Sequence, residues 1–383
     1  MGSFRVWEGV SHLAEERWQA LSTAASPFHE YGFLASLEET GCVGQDSGWD
    51  PLIFGFEENN ELVAVMPAYI KTHSMGEFVY DWSFADSASR AGLGYYPKLV
   101  VTAPFSPISG KRFLFDPSLG EEKEQKMAKD LLENAIDEAK RRGCHSVNLL
   151  FCTEEEGRIA EELGFCERLA VQLHWENAGY ACFDDFLARF NSKRRKEIKR
   201  ERRHLREAGI EVKHLNGADE AIPVAHHHEA YRFYSDTVQR FQWGRQYLSE
   251  AFFKALFERL NHRLQFSVAY RDGVPMAGAF NLEKDGRRYG RYWGADEAVR
   301  FLHFEVCSYG PVQDAINRKV DAFEAGAGTH THKFYRGFSP KITRSAHLYF
   351  HDGFHRAIEV YCQREAKHVR REVEDVAQSV FVR

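Results

Sequence analysis

Long apolar runs are what this chain most plainly lacks. Nowhere do the roughly 18 consecutive apolar residues of a membrane-spanning helix occur, and the opening stretch MGSFRVWEGVSHLAEERW has no secretory apolar core. The expected compartment is therefore the cytoplasm, with no transmembrane segment. Cysteine is sparse: seven residues (Cys42, Cys144, Cys152, Cys166, Cys182, Cys307 and Cys362) are scattered without a CxxC pair, the pattern of reduced thiols rather than a disulfide framework or a zinc ribbon. A Gly-x-Ser-x-Gly elbow is missing, which argues against a serine hydrolase. Charge of one sign is also missing, because a net charge of −6 excludes a polycation, so any nucleic-acid contact must come from a local basic stretch. Two histidine groups, His226, His227 and His228 with Glu229, and His347, His351 and His355, invite a metal reading. Consecutive helical residues point in different directions and Gly353 interrupts the second group, so no metal is expected.

What is present suits a folded protein. Hydrophobic residues make up 44% of the 383, with 30 Phe and 16 Tyr. That length is beyond one ordinary core and predicts two domains of roughly 150 to 200 residues each. In the first half, Pro51 to Glu57 and Leu62 to Ile70 read as a hairpin across Glu58-Asn59-Asn60-Glu61. A helix follows from about Glu121 to Arg142, with Met127, Leu131, Leu132, Ala135, Ile136 and Ala139 on one face and Gly143 as its stop, then a buried strand from Val147 to Phe151. Thr153-Glu154-Glu155-Glu156 resembles a capping box opening a helix that Gly164 stops, ahead of a strand through Val171 to Trp175.

The second half repeats that order. Phe266 to Tyr270, a turn at Asp272-Gly273 and Pro275 to Leu282 form a hairpin, and Arg288 to Trp293 adds a strand. A helical pattern from Phe304 to Lys319 leads to a short strand, Val320 to Glu324, ending in Gly326-Ala327-Gly328. Hairpin, strand, helix, strand resembles the GNAT acyltransferase order, so the expected fold class is α/β: two tandem GNAT-like domains of mixed sheets flanked by helices, residues 1–180 and 181–383. The second begins with a basic helix over residues 192–208.

Six stretches, in order, carry a more specific resemblance: Tyr80-Asp81-Trp82-Ser83-Phe84-Ala85-Asp86, Tyr95-Tyr96-Pro97-Lys98-Leu99, Pro104 to Gly110, Tyr289 to Gly294, Leu302 to Cys307, and His332 to Phe338. They resemble a bacterial family of unknown function grouped with the FemAB-like peptidoglycan aminoacyl transferases. The resemblance spans nearly the whole chain and implies FemAB-like architecture and acyl transfer. Where a Gly-Glu-His-Lys is expected, this chain has Thr329-His330-Thr331-His332-Lys333, so the carboxylate of that pattern is absent and the resemblance points to a divergent acceptor, a cell-wall precursor or a specialised metabolite.

Acyl transfer to an amine needs a held donor, a deprotonated nucleophile and donors aimed at the oxyanion. An acyl-CoA enzyme of this fold cradles pyrophosphate on an Arg-x-x-Gly-x-Gly turn. Neither Asp116 to Glu122 nor Gly294 to Phe301 has that form. The segment Lys193, Arg194, Arg195, Lys196, Lys199, Arg200, Arg202, Arg203 and Arg206 holds only Glu197 and Glu201 against it. It reads either as a solvated helix with self-pairing or as a phosphate-binding surface. An aminoacyl-tRNA donor accounts for both features, with no cofactor beyond that co-substrate. Acyl-CoA as donor, and a non-catalytic binding protein, are the alternatives.

Glu305 is the candidate base or amine binder, diverging from His303 by about 200° on a regular helix. His332, Lys333 and Arg336, with His330, follow the glycine turn and could hold an oxyanion or phosphate. Asp81, Trp82, Asp86, Tyr96 and Lys98, with Arg112 and His303, are the candidate acceptor-binding residues, the aromatics having core packing as their rival.

Overall fold

The computed structural model describes residues 2–44, 46–240, 245–327 and 331–379, so His330 lies outside the described residues. Thirteen strands are described: β1 (Ser3–Trp7), β2 (Trp49–Glu58), β3 (Glu61–Lys71), β4 (Lys98–Val101), β5 (Leu114–Phe115), β6 (Ser146–Cys152), β7 (Cys166–Glu176), β8 (Ile210–Asn216), β9 (Leu264–Arg271), β10 (Val274–Lys284), β11 (Arg287–Ala295), β12 (Ala322–Glu324) and β13 (Ser339–Tyr349).

The chain divides into two compact units. One takes the chain up to Ala170 together with Ile342–Arg370, and the other takes Val171–Lys341 and the chain from Arg371 onward. The expected junction near residue 180 thus lies ten residues beyond the observed one. The return of the C-terminal strand to the first unit was not foreseen. Its cause is pairing: β13 runs antiparallel along β6, with Ala346 opposite Leu149 and Leu348 opposite Val147. The run through Val171 to Trp175, expected as a first-half strand, instead pairs with β12 of the second unit, Trp175 opposite Phe323.

Within the first unit, β1, β2, β3 and β4 are successive antiparallel neighbours, and β4 runs parallel to β6. The hairpin turn falls where two asparagines tolerate left-handed backbone, Asn59 at φ 52° and Asn60 at φ 66°. A parallel neighbour requires a crossover, and the helix Glu121–Arg141 supplies it. Its buried Met127, Leu131, Leu132, Ala135 and Ala139 meet Leu52, Phe54, Met66, Leu99 and Leu149 of the sheet in one apolar cluster. The capping box at Thr153 forms in both directions: its hydroxyl accepts from the Glu156 N–H, and the Glu156 carboxylate accepts from the Thr153 N–H.

The second unit repeats the scheme. Strands β8, β9, β10 and β11 are antiparallel neighbours and β11 is parallel to β12. Asp272 (φ 51°) and Gly273 (φ 78°) make its hairpin turn. The crossover differs from the regular helix expected from Phe304 to Lys319: a short α turn, Leu302–Phe304, opens into a π-helical turn, Glu305–Tyr309, before the α-helix Gly310–Asn317. Pro311 explains the widening, because it has no N–H to donate to the Cys307 carbonyl and its ring would press on that oxygen. Gly294, the last residue of one family stretch, is needed for packing: a Cβ there would lie 1.9 Å from the Phe233 carbonyl oxygen of the helix His227–Arg240. Among the described residues, no helix is long and apolar enough to cross a membrane.

Candidate functional site

The basic segment forms the helix Ser192–Glu207, opened by Asn191, whose side chain accepts from the Arg194 N–H, and followed by Gly209 at φ 70°. Ile198 and Leu205 are buried in two separate apolar clusters of the second unit. Burial of each is worth about 1.5–3 kcal/mol, enough to fix which face of an otherwise polar helix turns inward.

Glu201 and Arg202 share that inner side. Arg202 grips the Glu305 carboxylate with two nitrogens, Nε at 2.9 Å from Oε2 and Nη2 at 2.7 Å from Oε1. Glu201 Oε2 accepts from the Tyr309 hydroxyl at 2.6 Å and from Arg336 Nη2 at 3.3 Å. Arg336 also donates to the His332 carbonyl at 2.8 Å, and its guanidinium lies 3.2 Å from the Phe304 ring centroid. The widened turn therefore carries Glu305 and Tyr309 onto the basic helix. On its other side, His303 meets Trp293 at 4.4 Å and His332 at 5.3 Å between ring centroids. His303 and Glu305 do diverge, and Glu305 is held by an arginine rather than standing free.

Lys333 is nearly buried, at 9% exposure. Its Nζ donates to the carbonyls of Ala325 (2.9 Å), Gly326 (3.4 Å) and Ala327 (3.4 Å), at the end of β12. Burial lowers its pKa to about 8. Three carbonyl dipoles thus converge on the ammonium. Gly337 lets the chain turn away sharply, at φ 87°, with Phe186 and Phe190 packed where a Cβ would sit.

Adjoining this cluster, and sharing Arg202 and Glu305 with it, a hollow of about 510 Å³ is also lined by Arg206, His214, Gln313 and Asp314, among others. It presents charges of both signs, as a small zwitterion or amine would require.

The outer side of the basic helix is different. Lys193, Lys196, Arg200 and Arg203, spaced three, four and three apart, fall on one stripe and are exposed. Among the described residues no carboxylate pairs with Lys193, Lys196 or Arg200. Arg203 is 3.6 Å from Glu207, and Lys199 is 3.1 Å from Asp184. Arg194 is engaged by Glu197 at 2.7 Å and stacks on Tyr335, while Arg195 donates to the Phe190 carbonyl. The sequence reading took all of these cations, spread over several faces, as candidate phosphate ligands. The structure divides them into an outer stripe and inner structural contacts.

In the first unit, three of the expected acceptor residues come together in a closed polar cluster. Lys98, 1% exposed, donates to Asp81, to Glu77 Oε2 at 2.8 Å and to Ser74 at 3.2 Å. Tyr95 donates to Asp81 at 2.6 Å, and the Tyr96 hydroxyl is 2.6 Å from Ser74. Lys98 holds the Asp81 carboxyl below its usual range against the desolvation that opposes it, and burial raises Glu77 to about 7. The cluster therefore carries one firm ion pair and one carboxyl near neutrality. Glu77 was not singled out in the sequence, where nothing distinguishes its burial.

Trp82 and Asp86 do not join that cluster. They sit on the helix Trp82–Arg90, Trp82 exposed beside Tyr80 and Asp86 paired with Arg90. Arg112 is wholly buried and bonds the Ile108 and Phe151 carbonyls, which makes it a clamp on the loop ahead of β5.

No curated protein matches the sequence. Among solved structures, FemX is similar at 11% identity and TM-score 0.55, with 93% of this chain and 100% of FemX covered. The C-terminal domain of a putative lysylphosphatidylglycerol synthetase from Agrobacterium fabrum is similar at 11% identity and TM-score 0.55, covering 91% of this chain and 95% of that one. The L-PGS structure from Bacillus licheniformis matches at 11% identity and TM-score 0.50, covering 91% and 98%. These likenesses establish the α/β fold of mixed sheets flanked by helices. The sequence itself matches the FemAB-like family, described as peptidoglycan biosynthesis/recognition, over residues 9–383, and the chain belongs to that family.

Proposed function

We propose that the chain is an N-acyltransferase that takes an aminoacyl group from a tRNA and passes it to the amine of a small acceptor. Family membership and the FemX-like fold support acyl or aminoacyl transfer in general. The donor assignment rests on one observation: a single helix turns outward a cation stripe of which Lys193, Lys196 and Arg200 have no carboxylate partner among the described residues and, on its other side, anchors the cluster of Glu305, Tyr309 and Arg336. Phosphates along the stripe would set the register of an RNA end without reading its sequence.

An aminoacyl ester is already activated, so catalysis can rest on positioning and on charge stabilisation. Lys333, an ammonium among carbonyls, is the oxyanion stabiliser in this reading. Arg336 positions His332 through that residue's carbonyl, and Glu305 with Arg202 holds the wall of the neighbouring hollow. Attack by the neutral acceptor amine on the ester carbonyl forms the C–N bond and breaks the ester C–O bond, and the proton lost by the nitrogen passes through solvent or His332 to the departing tRNA oxygen.

The test is transfer of a labelled amino acid from charged tRNA to a small amine product. Lys333→Ala should lower turnover at least tenfold, each tenfold being about 1.4 kcal/mol. Because the ammonium form is required, the rate should fall as pH rises through about 8. Product formed from acyl-CoA without tRNA, or a rate that climbs above that pH, would refute the assignment.

A further inference from the structure

Away from that cluster, the second unit gathers two imidazoles and a carboxylate at the start of the helix His227–Arg240. The His227 and His228 rings lie 3.9 Å apart between centroids. Glu250, first residue of the helix Glu250–Arg259, brings Oε1 to 2.6 Å from His228 Nδ1. One donor atom from each of the three lies within 4.8 Å of the other two. A tetrahedral ion with bonds of about 2.0–2.1 Å keeps its ligand atoms about 3.3 Å apart, so small side-chain rotations would seat one here.

His227 is prepared for the role. It is buried, and its Nδ1 lies 2.7 Å from the Val224 carbonyl oxygen. A carbonyl only accepts, so Nδ1 carries the proton and Nε2 keeps its lone pair. A main-chain oxygen fixing the distal nitrogen is the usual support of a ligating imidazole. Two nitrogens and one carboxylate oxygen favour a borderline ion such as Zn²⁺ over Mg²⁺ or Ca²⁺.

We propose that His227, His228 and Glu250 form a binding site for a divalent transition-metal ion of the Zn²⁺ class, with water completing the coordination. The sequence expectation of no metal weighed His226, His227 and His228 with Glu229, and His347, His351 and His355, but not Glu250. The third ligand stands 22 positions from His228, on another helix. Such an ion clips the first turns of two helices together, and the first of those helices packs closely on β11 at Gly294.

The test is calorimetric titration of ZnCl₂ into the untagged, chelator-treated full chain, with melting followed in parallel. One ion should bind per chain with micromolar affinity or better and raise the melting temperature. His228→Ala and Glu250→Gln, both at exposed positions, should each weaken binding at least tenfold and abolish the melting shift. His351→Ala with His355→Ala should bind as the parent does. Stoichiometric binding that survives both site substitutions, or no saturable binding to the folded parent, overturns the proposal.

Discussion

Lys98→Met should destabilise the protein by about 3–5 kcal/mol, the usual cost of removing one partner from a buried ion pair. The ammonium is the only cation donating to both Glu77 and Asp81 among the described residues, and all three side chains are closed to solvent. Methionine fills a similar volume, so the loss reads the stranded carboxylates rather than a cavity. The defect should shrink as pH falls, since protonating those carboxyls removes the charges left behind. The parent has its own signature. Glu77 is raised to about 7 from an ordinary 4.5, so the folded state holds a proton that the unfolded state has lost between those values. Its contribution to stability is therefore full below pH 4.5 and lost as pH rises to about 7. Asp81 acts oppositely, its contribution being lost as pH falls below the usual carboxylate range. Denaturant unfolding of parent and variant across pH 4 to 8 measures both; a loss under about 1 kcal/mol would mean that the cluster is not a committed ion pair.

Reversing Lys193, Lys196 and Arg200 to Glu should reduce tRNA affinity on the order of a hundredfold or more, while leaving the melting temperature unchanged. Each phosphate contact contributes about 0.7–0.9 to the slope of log affinity against log salt, so the slope should fall by about 2 to 3. These three are suited to the test because their heads are exposed and without carboxylate partners among the described residues. Arg194, Arg195 and Arg202 are not, because each is tied to Glu197, Phe190 or Glu305 and its reversal would disturb the helix. Filter binding across a salt series decides the matter. An unchanged slope would mean that the stripe is only a solvated face.

The elements read best from sequence were those with local causes. Asn59-Asn60 and Asp272-Gly273 mark hairpins because few other pairs accept left-handed backbone, and Thr153 with Glu156 marks a helix start because the two groups satisfy each other's donors. What escaped was non-local. No residue in Ser339–Tyr349 states that its partner is β6, and none in Val171 to Trp175 states that its partner is β12. The same holds at the sites. Asp81, Tyr96 and Lys98 were legible as a charged and aromatic group and do converge, yet Glu77 completes it through burial alone. Arg112 reads as an anion contact until its bonds to two carbonyls are seen. The basic run was legible as charge; its division into an outer stripe and an inner anchor depended on where Ile198 and Leu205 found their cores.

The return of Ile342–Arg370 to the first unit has a consequence for biosynthesis. While the ribosome is still making the middle of the chain, β6 has no β13 beside it and presents an open row of amides and carbonyls. The first unit must wait, incomplete, until the whole stretch Val171–Lys341 has been made. A premature stop just before Ser339 would thus damage the unit made before the second one, exposing a sheet edge prone to aggregation.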